Sequence, residues 1–230
     1  MTPEILYKSK NAIVIYKPPV IPSQSDSSGS ADALSLTKDI LRSHGEREDL
    51  YLINRLDRVV GGLMVFARNK EYAKKMSDVL SKDSFTKKYF AIADGSLDSG
   101  EMIDWIAKDG VTNKAIINDN SEGSKLAVLS YECIDTVVIK GKEKSLYNVN
   151  LKTGRFHQIR AQFAHRGSPL IGDKKYGSRD FLTRQPALFS YNVSIDLGDE
   201  KIQASKLPDV TKYPWNLFSA EKYKSKIGEQ

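Results

Sequence analysis

The run Leu63-Met64-Val65-Phe66-Ala67 limits what this chain can fold into more than any other stretch. A continuous apolar run of this length, entered through Gly61-Gly62, reads as a strand covered on both faces. Asn69 follows and can cap a helix whose apolar positions Tyr72, Ala73, Met76, Val79 and Leu80 recur at helical spacing. Upstream, residues 4–8 and 11–16 predict two short strands that end at Lys17-Pro18-Pro19, and the Ser- and Gly-rich stretch Ile21 to Ser30 predicts a loop. Ser30 is expected to cap a helix carrying Ala33, Leu34, Thr37, Ile40 and Leu41, with Gly45 just past its end. Residues 84–93 alternate, placing Lys87, Tyr89 and Ala91 on one face and Phe90 and Ile92 on the other. Further strands are expected near 125–133, 134–140, 145–152 and 187–197. Strands outnumber helices and several follow one another directly, which predicts an α+β fold around a mixed, mostly antiparallel sheet.

Composition narrows the function classes. A chain of 230 residues with 40% apolar and 28% charged residues reads as one globular domain, 1–230, with a core over about 4–197 and a polar Lys-rich extension over about 198–230. That extension, with Lys212, Lys222, Lys224 and Lys226, is expected to be a solvated, frayed end. No apolar run is long enough for a membrane span and no leader is legible at the start, so the cytoplasm is the expected location. Cys133 is the single cysteine, which excludes an internal disulfide, and its apolar surroundings predict a buried core thiol. A net charge of +6 suits a polyanionic partner without requiring one. Of the three histidines, only His157 and His165 are close in sequence, and their spacing does not suit chelation, so no metal is expected.

Two short motifs hold most of the remaining chemistry. Asn54-Arg55-Leu56-Asp57 precedes the buried strand and puts Asp57 in a loop at a strand edge, flanked by Arg55 and Arg58. An aspartate so placed is as readily a turn-former or a cap as a catalytic group. Thr153-Gly154-Arg155-Phe156-His157-Gln158-Ile159-Arg160 begins with a glycine turn and continues into a helix ending at Gly167. On that helix Phe156, Ile159 and Phe163 share a stripe that can face the core. His157, Arg160, Ala161 and Ala164 share the neighbouring one, where they could line a ligand site or simply solvate a surface.

These motifs resemble those of the RluA/RsuA-type RNA pseudouridine synthases. Residues 54–67 are similar to that family's H-R-L-D-x-x-T-S-G-L-L-L-F-A signature. Lys87 to Ala91 with Gly95 resembles its K-x-Y-x-A-x-x-x-G strand, and residues 153–160 resemble its T-G-R-x-H-Q-I-R element. Gly167 to Asp173 with Tyr176-Gly177 resembles the G-x-P-I-x-G-D-x-x-Y-G continuation, and Asn11 to Pro19 the V-N-K-P opening. The resemblance implies the synthase catalytic fold and an isomerase that detaches uracil from ribose and rejoins it through carbon 5, without cofactor or metal. It implies Asp57 as the catalytic carboxylate, acting as nucleophile or base, with Tyr89 against the target base and Arg160 paired with the aspartate in one cleft. Arg55 would fill the space left by the flipped uridine, at a cost of a few kcal/mol for the flip. Arg58, Lys87, Arg155, His157 and Ile159 complete the expected RNA-binding set. The expected partner is transfer or ribosomal RNA, bound by a monomer.

Asn54 stands where the family has His, and Val60-Gly61 where it has Thr-Ser. These departures bear on RNA contacts and target choice. The small N-terminal RNA-binding domain of many relatives is not recognisable, so recognition is expected to rest on the catalytic domain. The alternative reading is a catalytically impaired RNA-binding or RNA-chaperone protein of the same fold.

Overall fold

The structure, a computed structural model, describes residues 2–26, 29–80, 82, 84–120 and 122–228; Ser27 and Ser28 of the predicted loop lie outside these. In chain order the strands are β1 (Glu4–Lys8), β2 (Ala12–Lys17), β3 (Tyr51–Leu52), β4 (Gly61–Ala67), β5 (Phe85–Asp94), β6 (Gly100–Asp109), β7 (Lys114–Asn118), β8 (Lys125–Ile139), β9 (Lys142–Leu151), β10 (Leu188–Asp196) and β11 (Lys201–Ser205). The helices are α1 (Ala33–Ser43), α2 (Lys70–Val79), α3 (Gln158–His165) and α4 (Ala220–Gly228). The fold is α+β, as expected. The chain forms two units, one from residues 1–86 and 190–206, the other from 87–189 and 207–230.

In the first unit the strands lie in the order β1-β2-β4-β10, with β11 on β10 and β3 on β4. All seven residues of β4 are buried, which is the two-sided burial that its continuous apolar run calls for. Its neighbour β2 pairs antiparallel from Ala12↔Ala67 to Lys17↔Gly62. Ala12, Val14, Leu63, Val65, Ala67, Met76, Phe85, Val193, Ile195 and Ile202 form one core cluster, and each large apolar side chain so buried is worth about 1.5–3 kcal/mol. Asn69 caps α2 as predicted, its side chain accepting from Tyr72 N at 2.9 Å. The cap of α1 is Asp32 rather than Ser30: the Asp32 carboxylate accepts from Ser35 N at 3.0 Å and from Ser35 Oγ at 2.7 Å, and is buried. Gly62 joins loop to sheet with φ +131°, and a Cβ there would stand 2.4 Å from Ser190 O, so β10 passes against bare backbone.

The second unit orders its strands β5-β9-β8-β6-β7, each pair antiparallel. Residues 125–139, expected as two strands, form a single strand interrupted by a register shift between Cys133 and Asp135. The shift turns Cys133 partly outward, so it is not a core thiol; its Sγ lies 3.7 Å from Thr136 Oγ1. Tyr131, Tyr147 and Phe163 meet edge to face at 5.1–5.8 Å. The Lys-rich C-terminal stretch is folded rather than frayed. Its helix α4 buries Tyr223 against Phe90, the rings 5.1 Å apart and perpendicular, and Tyr223 Oη donates to Trp215 O at 2.8 Å. Lys226 and Lys222 reach Glu132 and Asp135 at 3.0 and 3.4 Å. Strands β6, β7 and β11 have no counterpart among the sequence expectations.

Candidate active site

Asp57 sits in the segment between β3 and β4, and the chain on both sides of it is clamped. Ile53 N donates to Val65 O at 3.0 Å. The buried Asn54 side chain continues that pairing: Oδ1 accepts Val65 N at 2.7 Å and Nδ2 donates to Leu63 O at 3.4 Å. Asn54 therefore fastens the loop to the edge of β4 rather than facing a ligand. Ser23 Oγ brackets Leu56, accepting from its N at 3.0 Å and donating to its O at 2.7 Å. Asp57 O accepts Val60 N at 3.0 Å, closing a turn that leaves the Asp57 side chain half-buried.

Beneath this turn lies Lys17, with no exposed surface. Its Nζ donates to Ile21 O at 2.8 Å and Pro18 O at 3.0 Å, with Arg58 O at 3.4 Å. Burial drives the Lys17 ammonium down to about 7, and the nearby Asp57 charge partly opposes this. Arg58 O also accepts Val20 N at 2.7 Å. The Arg58 side chain turns away along the loop: Nε donates to Val20 O at 3.1 Å, Nη2 to Ser30 Oγ at 3.1 Å, and Asp26 lies 3.8 Å off. Arg55 is exposed.

In the second unit β5 carries Lys87 and Tyr89, both buried. Burial lowers the Lys87 ammonium from its ordinary value. The segment before α3 is bound to β8: Thr153 N donates to Val128 O at 3.1 Å, Thr153 Oγ1 accepts Val128 N at 2.8 Å, and Arg155 Nε donates to Leu126 O at 2.8 Å. Gln158 Oε1 accepts Thr153 Oγ1 at 2.8 Å and Arg155 N at 3.0 Å, so two polar motif residues serve the local fold. Gly154 has an ordinary φ and open space at its Cβ position, and the left-handed residue of this turn is His157, at φ +49°. Phe156 precedes the helix, stacked on His157 at 3.8 Å.

Helix α3 is buried from Gln158 to Phe163, so Ile159 and Arg160 both lie inside rather than on separate faces. Arg160 meets Asp173 as a fork, Nε to Oδ2 at 2.6 Å and Nη2 to Oδ1 at 2.9 Å, with the side chains 5% and 1% exposed. The Tyr176 ring lies 5.1 Å from Arg160 Cζ. Its hydroxyl accepts Ala115 N at 2.7 Å and meets His157 Nδ1 at 2.9 Å.

Each motif thus gathers its own residues. Asp57 and Arg58 lie over Lys17 in one unit, while His157 and Arg160 meet Tyr176 and Asp173 in the other. The candidate set missed Lys17, Asp173 and Tyr176, although all three stand as K, D and Y in the stretches that resemble V-N-K-P and G-x-P-I-x-G-D-x-x-Y-G. Among the described residues no group of three His, Cys, Asp or Glu is placed to hold a metal ion. No helix among them is long and apolar enough to cross a membrane.

Known proteins are similar to this chain in sequence and in fold. The family model for RNA pseudouridylate synthase matches residues 11–165. The ribosomal large subunit pseudouridine synthase C of Rickettsia conorii is 30% identical over 212 residues, covering 90% of this chain and 67% of the relative. The tRNA pseudouridine synthase C of Haemophilus ducreyi is 31% identical over 184 residues, covering 76% of this chain and 74% of the relative. The solved human RNA pseudouridylate synthase domain containing 1 shares the fold, with a TM-score of 0.75 and 19% identity, covering 100% of this chain and 96% of the human one. With both motifs inside the matched residues and on ordered, clamped segments, the chain belongs to the RNA pseudouridylate synthase family, which isomerises uridine to pseudouridine in RNA.

Proposed function

We propose that this protein converts specific uridines of ribosomal or transfer RNA to pseudouridine, with Asp57 as the reacting carboxylate. In that reaction the bond from uracil N1 to ribose C1′ breaks, the base turns, and C5 bonds to C1′ while its proton leaves. Asp57 acts on the sugar as nucleophile or as base. A half-buried carboxylate suits either role, being reachable by a substrate yet held in place by its turn. Arg160 serves the carboxylate chemistry as a fixed cation, and Tyr89 serves the base. Among the RNA-binding candidates, Arg55 is an exposed guanidinium and is assigned to the space vacated by the flipped base. Arg58, Lys87, Arg155, His157 and Ile159 are assigned to shaping the RNA-binding surface, since each is buried or already bonded to its own chain.

The observation that carries this reading is the clamped turn that presents Asp57 in a chain of this family. Carbodiimide mapping of pseudouridines in cells with the protein, without it, and with Asp57→Ala tests the reading and identifies the target RNA. Loss of the same sites in the deletion and in a folded Asp57→Ala variant is expected. Persistence of those sites in the variant would remove Asp57 from the chemistry.

A further inference from the structure

A buried ion pair is poor insurance for a fold. Removing two charges from water costs several kcal/mol per ion, and apolar residues of similar size often serve stability as well. The Arg160–Asp173 pair is nonetheless almost wholly buried and bonded at both prongs. We propose that Asp173 is a positioning residue for Arg160: it fixes the guanidinium by its Nε–Nη2 edge and so holds the charge in one orientation for the reaction. This rests on the assignment of Arg160 above.

The reasoning is geometric. An arginine side chain has several freely rotating bonds, and a planar fork against a carboxylate removes most of that freedom at once. The carboxylate is itself immobile, because Asp173 is built into a tight double turn. Asp173 N donates to Leu170 O at 3.0 Å, and Asp173 O accepts Tyr176 N at 3.0 Å and Ser178 N at 3.1 Å. The preceding Gly172 has φ +77°, and a Cβ there would lie 2.3 Å from Gln185 O, so only glycine lets the chain through. Tyr176 closes the third side, its ring over the guanidinium and its hydroxyl held by β7 and His157. The Gly172-Asp173…Tyr176 stretch is therefore a socket for Arg160. In a preorganised site a shift of about 1 Å in such a group costs roughly a hundredfold in rate.

The test uses uridine-labelled RNA carrying tritium at C5, taken from cells lacking the protein, and follows tritium release by the full-length enzyme. Asp173→Asn keeps the shape and one acceptor but loses the charged fork. Its kcat should fall by about a hundredfold, with the half-saturating RNA concentration within threefold of wild type. In an Arg160→Met background, the same Asp173→Asn change should cost less than twofold more, because Asp173 acts only through Arg160. A kcat for Asp173→Asn within threefold of wild type, a loss confined to half-saturation, or losses that multiply in the double variant would each overturn the proposal. Should Asp173→Asn not fold, Asp173→Glu carries the test, since it keeps the charge and displaces the fork by one methylene. A tenfold fall in kcat at unchanged half-saturation supports the proposal, and an undiminished kcat refutes it. If Arg160→Met alone turns over normally, the role given to Arg160 is what fails. Absence of release by the wild-type enzyme would fail the functional reading instead.

Discussion

Replacing Lys17 by Met should flatten the pH dependence of stability on the alkaline side. Lys17 has no exposed surface, and its ammonium group falls from the ordinary 10.5 to about 7 in the folded chain. Between those values the unfolded chain holds a proton there that the folded chain has released. Stability therefore rises with pH across the window, by ~1.4 kcal/mol per unit. The full cost is present below about pH 7 and has vanished above about pH 10.5, and it is on the order of 5 kcal/mol. Met of similar length removes the titration and also strips a donor from Pro18 O and Ile21 O, which costs about 2–4 kcal/mol. Arg58 O keeps Val20 N. The variant should then be less stable than wild type by about 2–4 kcal/mol above about pH 10.5, and more stable than wild type by about 1–3 kcal/mol below about pH 7. Urea unfolding at several pH values between these limits measures both curves. The raised tyrosines Tyr7, Tyr72, Tyr147, Tyr213 and Tyr223 titrate in both proteins and cancel in the difference. Parallel curves for the two proteins would show that Lys17 stays charged in the fold and that the reasoning is wrong.

Two further substitutions probe the framework. Gly62→Ala forces a Cβ to within 2.4 Å of the Ser190 backbone at φ +131°; a loss on the order of 3–5 kcal/mol is expected in chemical unfolding, and a loss under ~1 kcal/mol would mean that β10 moves aside readily. Tyr223→Ala empties the position that α4 uses against Phe90. It should cost ~3–5 kcal/mol, whereas Tyr223→Phe, which forfeits only the bond to Trp215 O, should cost about 1 kcal/mol; equal losses would show that the ring is not what anchors the helix.

What was legible in the sequence followed periodicity and caps. The apolar run of β4 and the Asn69 cap of α2 are local signals, and both elements formed where they pointed. Ser30 and Asp32 are equally good capping residues two positions apart, and the choice fell to Asp32, whose carboxylate reaches Ser35 N. Strand β6 was hidden because Glu101, Asp104, Lys108 and Asp109 interrupt it, while only Met102 and Ile106 carry its buried face. The helix α4 was hidden for a similar reason, since one tyrosine among lysines does its burying. At the candidate site the motifs pointed to ordered, clamped segments, but Lys17 and Asp173 fell outside the candidate set because charged residues are ordinarily placed on surfaces. Lys17 is bonded to the adjacent Pro18 and Ile21 carbonyls in a chain reversal that apolar periodicity does not record, and Asp173 depends on a guanidinium from a separate helix.

The first unit is assembled from two separated stretches of chain, and this dictates an order of events during synthesis. Strand β10 neighbours β4 and carries β11, so the sheet of that unit stays incomplete until residues 190–205 have left the ribosome. Roughly a hundred residues intervene, and closing a flexible loop of that length costs about 4 kcal/mol in chain entropy. The intervening unit shortens that span as it folds, because Ile92 N bonds to Ala187 O at 2.9 Å and draws its two ends together. A nascent chain halted before residue 190 thus lacks the strand that packs on Gly62, and the loop bearing Asp57 gains its full support only when that strand arrives.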